Sequence, residues 1–172
     1  SSYATVWVNG KKVGEHKGGR TTFTLDITDA VSFEKENNLM VKASHPALIA
    51  DLPWVCGGCS GEWGFSEGSQ PMGIFRPVTL VVTDAVRIQP FGVHIWNDKA
   101  TSKEKAILNV TTEIKNYGNS NRNLSIVNTL FDKEGKKVAS SQTELNSVVG
   151  ETKEIAQTLP EILNPKLWSP AN

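Results

Sequence analysis

The chain has 172 residues, 38% of them hydrophobic and 8% aromatic, with 18 basic against 18 acidic side chains. That composition supports a buried core in one or two domains and argues against disorder. Charge is balanced in both halves, eight Lys/Arg against nine Asp/Glu before residue 97 and ten against nine from there on. No nucleic-acid or anionic-membrane partner is therefore implied, and no apolar run approaches the roughly 20 residues that span a bilayer.

Almost every periodic segment has period two. Residues 4–8 alternate Ala4, Val6 and Val8 against Thr5 and Trp7, and Asn9-Gly10 follows as a type I′ hairpin signal, since both residues tolerate positive φ. Lys11 to His16 reads as the return strand. Gly18-Gly19 punctuates before Phe23, Leu25 and Ile27, which alternate with Thr22, Thr24 and Asp26. Leu39 to Ala43 and Val78 to Val82 are further strand candidates.

Between those two lies Ser44 to Gly73, long, glycine-rich and aromatic, with Trp54, Trp63 and Phe65. A loop of this length inside a compact domain is usually functional or mobile. Its rings suit either packing over a sheet edge or between domains, or a binding platform.

The later residues read as short strands with polar turns. Ala106, Leu108, Val110, Thr112 and Ile114 form one face against Lys105, Asn109, Glu113 and Lys115. Asn116 to Asn121 is a turn cluster. Leu124 to Phe131 has apolar residues on both faces and is expected to be a central strand. Glu134-Gly135 turns into Val138 to Leu145, and Gly150 precedes a strand within Glu151 to Leu159. The expectation is all-β: about five strands over 1–85, few for a closed two-layer sandwich, an immunoglobulin-like sandwich over 86–165, and a linker over 166–172. The two ends, Ser1-Ser2-Tyr3 and Leu167-Trp168-Ser169, read as cuts in a longer protein.

Chemistry-bearing residues are sparse. Cys56 and Cys59 form Cys-Gly-Gly-Cys, too few ligands for a structural zinc site and without the βαβ setting of a redox motif. They stand as a loop pair, free or bridged; a bridge would favour an oxidising compartment. His16, His45 and His94 are scattered, with no metal-ligand spacing, and neither metal nor cofactor is implied. The triplets Asn109-Val110-Thr111 and Asn123-Leu124-Ser125 fall on expected strands and are discounted as glycosylation sites.

Several stretches, in order, resemble glycoside hydrolase family 2. Ala4 to Gly19 and Phe23-Thr24-Leu25-Asp26-Ile27-Thr28 are similar to the end of that family's N-terminal jelly-roll, which implies that 1–85 is a partial jelly-roll β-sandwich of the galactose-binding type. Gly73-Ile74-Phe75-Arg76-Pro77-Val78-Thr79-Leu80 is similar to its Gly-Ile-Tyr-Arg-x-Val stretch. Val86-Arg87-Ile88 and Phe91-Gly92-Val93 resemble the passage into its immunoglobulin-like domain, and Asn164 to Pro170 the segment leading to its catalytic barrel. The resemblance implies a retaining exo-glycosidase, β-galactosidase, β-glucuronidase or β-mannosidase-like, whose acid/base and nucleophile carboxylates lie about 5 Å apart. In the family these sit on the barrel, the acid/base in an Asn-Glu dipeptide. No Asn here is followed by Glu, and no βα repeat is present. No catalytic residue is carried over.

The expected role is thus a non-catalytic accessory region of such an enzyme, which braces the barrel and lends a loop to the substrate rim. The Val55–Glu67 insertion, with Cys-Gly-Gly-Cys beside tryptophan, fits a β-galactosidase-like subset. Trp54 and Trp63, with Glu62 and Glu67 near them, are the candidate carbohydrate contacts, to be weighed against interdomain packing and solvated loop acids. Arg76 reads as an ion-pair or backbone-bonding residue at the domain junction. Expected partners are carbohydrate through the parent enzyme and the barrel of the same polypeptide. A half jelly-roll with open edges is also expected to self-associate or to leave its first region disordered. The expected location is periplasmic or secreted. Rival readings are a stand-alone carbohydrate-binding module, a purely structural or adhesive sandwich pair and, more distantly, a redox pair at Cys56 and Cys59.

Overall fold

A computed structural model of the chain describes residues 3–18, 21–44 and 73–167. The fold is all-β; among the described residues the one helical element is a 3-10 turn, Thr28–Ala30. Two compact units divide the chain, Ser1–Leu80 and Val81–Asn172.

In the first unit β1 (Tyr3–Val8) pairs antiparallel with β2 (Lys11–Lys17) on one side and β3 (Leu39–Ser44) on the other. Alternation places Val6 and Val8 on one face, and both are buried. The turn between β1 and β2 is Asn9-Gly10, with φ of 51° and 80°, as a type I′ turn requires. Asn9 does more than turn the chain. Its amide donates to Ala30 O at 2.9 Å and Asn37 Oδ1 at 2.8 Å, while its Oδ1 accepts from the Asn38 N–H at 2.9 Å. The segment leading into β3 is thereby fastened to the hairpin tip.

Two expected strands do not form. Phe23 to Ile27 has the right alternation but makes no ladder. It is held by side chains instead: Phe23 stacks on His16 with ring centroids 4.4 Å apart, and Leu25 covers Gly14 of β2. Val78 to Val82 is likewise outside any strand, and Val78, Leu80, Val81 and Val82 are strongly exposed. Among the described residues no neighbouring strand takes up its backbone groups, and period-two patterning alone cannot supply one.

The second unit is a sandwich. One sheet has the order β4 (Val86–Asn97), β6 (Leu108–Asn116), β9 (Thr152–Thr158), with β6 central. The other pairs β7 (Arg122–Phe131) with β8 (Lys137–Ser147), and a short pair joins β5 (Lys105–Ala106) to β10 (Ile162–Leu163). The β6 alternation is as expected at Val110, Thr112 and Ile114, which are buried, while Asn116, expected in the turn cluster, ends the strand and is buried too. Val110, Ala139 and Leu159 form the apolar centre, with Leu108, Leu130 and Ile162 packed against it.

Polar bonds stitch the two sheets together. Gln157 Nε2 on β9 donates to Ile126 O of β7 at 3.1 Å and to Thr143 Oγ1 of β8 at 2.9 Å. The Asn128 amide on β7 donates to Gln157 Oε1 and, at 3.2 Å, to Thr112 Oγ1 of β6.

Strand β4 carries a four-residue irregularity, because its ladder with β6 jumps from Ile88 to Val93. Phe91 at the bulge has φ of 60° and is 75% exposed. A Cβ on the next residue, Gly92, would lie 2.8 Å from Gln89 O and 3.0 Å from Glu113 O. Both neighbours are backbone and cannot swing away. Gly92→Ala is therefore expected to destabilise the second unit by roughly 1–3 kcal/mol. Urea titration of the variant checks this; an unchanged midpoint means the bulge relaxes freely.

Candidate functional site

The residues nominated from sequence as carbohydrate contacts, Trp54, Trp63, Glu62 and Glu67, lie outside the described residues, as do Cys56 and Cys59. Of the other residues singled out, His16 bonds Thr21 Oγ1 at 3.1 Å besides stacking on Phe23. Arg76 lies with its guanidinium carbon 6.0 Å from the Phe75 ring centroid. No group of three or more His, Cys, Asp or Glu fit to hold a metal occurs among the described residues, and no helix there is long and apolar enough to cross a membrane.

The second unit does assemble a polar and aromatic surface. Register puts Arg87 of β4 opposite Lys115 of β6, and His94 and Trp96 opposite Thr111 and Asn109. Cross-strand partners share a face. Here they share the outer face, because the intervening β6 residues Val110, Thr112 and Ile114 are the buried ones. Arg87 and Lys115 each place their charge 4.7 Å from the Tyr117 ring centroid, within cation–π range. The Tyr117 hydroxyl donates to Gln89 Oε1 at 3.2 Å. Its pKa is held below the ordinary tyrosine value, first by the hydrogen bond from Arg87, with the nearby Lys115 and Arg87 charges adding to it. Further along, His94 and Trp96 stack at 5.1 Å.

Sequence reasoning missed Arg87, Lys115 and Tyr117 as a group. Arg87 and Lys115 are far apart in sequence, and only the β4–β6 register joins them.

Three acids of this unit, Asp98, Glu104 and Glu144, have their pKa lowered by hydrogen bonds. Asp98 accepts from the Ala100 N–H at 2.9 Å and from the Asn109 amide at 3.2 Å, and these bonds in that order lower its pKa. Glu104 is lowered chiefly by the Ser102 hydroxyl, and Glu144 by the Gln142 amide and then by Ser125. A general acid for glycoside cleavage needs the opposite displacement, upward toward neutrality.

Residues 86–172 match the family model for glycosyl hydrolases family 2. The chain belongs to this family. Its relatives include a β-glucuronidase of Bacteroides fragilis, 26% identical over 98% of this chain and 23% of that protein. The β-galactosidase BoGH2A of Bacteroides ovatus is 26% identical over 95% of this chain and 17% of its own length. Among solved structures, a glycosyl hydrolase family 2 member from Bacteroides cellulosilyticus superposes with a TM-score of 0.79 at 26% identity. That match covers 98% of this chain and 21% of the other. The family 2 chain described here thus spans about a fifth of the length of the relatives it matches.

Proposed function

We propose that the chain is the non-catalytic accessory region of a β-galactosidase-like exo-glycosidase. The observation that carries this is the family match over residues 86–172 together with an all-β fold that holds no βα repeat among the described residues. Residues 1–85 act as the C-terminal part of a sugar-binding-type jelly-roll, 86–165 as an immunoglobulin-like brace, and 166–172 as the connection toward a catalytic barrel of the same polypeptide. Substrate is carbohydrate, met through the parent enzyme in the periplasm or outside the cell. The loop bearing Trp54 and Trp63 contributes to the substrate rim. On its own the chain self-associates through the open edges of its first unit.

The test is hydrolysis and binding. Purified chain is expected to release no nitrophenol from aryl β-galactosides or β-glucuronides and to show no glycan affinity on an array. Turnover by the chain alone would overturn the reading, and tight glycan binding lost on Trp63→Ala would replace it with that of a stand-alone binding module.

A further inference from the structure

Asn9-Gly10 is the one place in the sequence where asparagine is followed by glycine. Asparagine amides are thermolabile, and glycine has no Cβ to shield its nitrogen. That nitrogen can therefore attack the carbonyl carbon of the preceding side chain. Both residues are exposed, and nothing lies within 4 Å of where a Cβ on Gly10 would stand. Solvent reaches the tip, as the reaction needs. What opposes it is the set of bonds the Asn9 side chain makes to residues 21 to 29 positions downstream. Both amide hydrogens are committed, one to Ala30 O at 2.9 Å and one to Asn37 Oδ1 at 2.8 Å. Oδ1 accepts from the Asn38 N–H at 2.9 Å. Asn37 is itself fixed: its Oδ1 also takes the Ser32 N–H at 2.7 Å, and its amide donates to Ser32 O and Lys35 O at 2.9 and 3.0 Å.

We propose that Asn9 is a self-modification site, at which the Gly10 nitrogen displaces ammonia from the side-chain amide, and that Ala30, Asn37 and Asn38 hold it unreacted while the lead into β3 stays in place. In this step the bond from Gly10 N to Asn9 Cγ forms and the bond from Cγ to Nδ2 breaks. The proton lost from Gly10 N leaves with Nδ2 as ammonia. Water then opens the succinimide. Opening at the side-chain carbonyl gives aspartate; opening at the main-chain carbonyl gives isoaspartate, with the main chain rerouted through Cβ and Cγ. The held bonds act on the rate, because Cγ must turn toward the Gly10 nitrogen and Nδ2 must quit both its acceptors. Three hydrogen bonds of ordinary net strength, all broken first, correspond to roughly 10–1,000-fold slowing. The change is also one-way. Aspartate has no N–H to give, so its carboxylate would face two acceptors, Ala30 O and Asn37 Oδ1, where the amide had donated. Isoaspartate further lengthens a tip whose two positive φ values fit a type I′ turn. Each opening of the lead into β3 is thus written into the chain as a permanent negative charge. The inference concerns the first unit alone and does not rest on the accessory role.

Peptide mapping by mass spectrometry tests it, on the full chain folded in buffer and on the same chain unfolded in urea, both at mildly alkaline pH. The unfolded chain is expected to convert at Asn9, and the folded chain to convert roughly 10–1,000-fold more slowly. Asn37→Ala removes one acceptor and loosens the segment behind it, so the folded variant is expected to convert about fivefold faster or more than the parent. Asn9→Asp stands for the product. In it the Ala30 and Ser32 amides, which donate to Ile27 O and Asn37 Oδ1, are expected to exchange about tenfold faster than in the parent, with β6 amides unchanged. Equal conversion rates in folded and unfolded chain overturn the proposal. So does an Asn37→Ala chain that converts at the parent's rate, or an Asn9→Asp chain with unaltered exchange at Ala30 and Ser32.

Discussion

Replacing Asn116 by alanine is expected to lower the melting temperature of the second unit by about 10–20 °C. Asn116 is 0% exposed, and its side chain binds three main-chain groups. Its amide donates to Ser120 O at 2.9 Å and Ser147 O at 3.1 Å, and its Oδ1 accepts from the Gly118 N–H at 2.8 Å. Its own carbonyl accepts from the Gly150 N–H at 2.8 Å. One residue thus joins the end of β6, the turn after it, the end of β8 and the turn into β9. Alanine removes the partner of the buried Ser147 carbonyl and of the part-buried Ser120 and Gly118 groups and opens a small void, at a cost of about 2–4 kcal/mol. For a unit of this size 1 kcal/mol corresponds to roughly 4–8 °C. Asn116→Asp keeps the acceptor but loses both donations and buries a charge, so it is expected to fare worse at neutral pH. Calorimetry decides; a melting temperature within a degree or two of the parent chain would show that this hub is not maintained in solution.

The second large effect concerns Gln157. Its amide holds β7 and β8 against β9, so Gln157→Leu removes the side-chain donor to Ile126 O and Thr143 Oγ1 and leaves the Asn128 amide with Thr112 Oγ1 alone. We expect a loss of about 2–4 kcal/mol. Removing both partners in Gln157→Leu/Asn128→Leu should restore part of it, since two apolar groups leave fewer orphaned donors, with a coupling of about 1–3 kcal/mol in the double-mutant cycle. Additive losses would mean that the two amides do not act as a pair. Gln157→Glu adds a pH signature. Burial raises the pKa of the new carboxyl above its unfolded value of about 4.3. The neutral acid is tolerated at low pH, and the destabilisation grows as pH rises through the unfolded value, then levels off above the folded one. A flat difference between pH 4 and 7 would contradict this.

Much of the fold was legible where local chemistry and tertiary context agree. Asn9-Gly10 declared its turn because positive φ at both positions is a backbone requirement that few residues meet. The β6 alternation, including Thr112 on the apolar face, was readable because β6 is central and its two faces differ. Phe23 to Ile27 was misleading: alternation reports which side chains turn inward, not whether a neighbouring backbone is present to pair. Apolar residues on both faces of Leu124 to Phe131 point to a central strand, whereas the structure shows β8 as the one partner strand of β7 among the described residues. The Gln157 bonds and the Arg87, Lys115 and Tyr117 cluster were invisible, since each depends on residues brought together from different strands by register. The nominated Trp54 and Trp63 loop lacks regular period, so sequence offered composition there and no geometry.

The bonds made by Asn9 bear on how the molecule tolerates redesign. A hairpin tip that only reverses direction accepts Gly-Gly or Asp-Gly as readily as Asn-Gly. This tip also grips the carbonyl of Ala30 and the loop at Asn37 and Asn38. Grafting a generic tip would keep the β1–β2 hairpin but release the lead into β3. A swap that looks conservative on paper would therefore unmoor the neighbouring strand and not the turn itself.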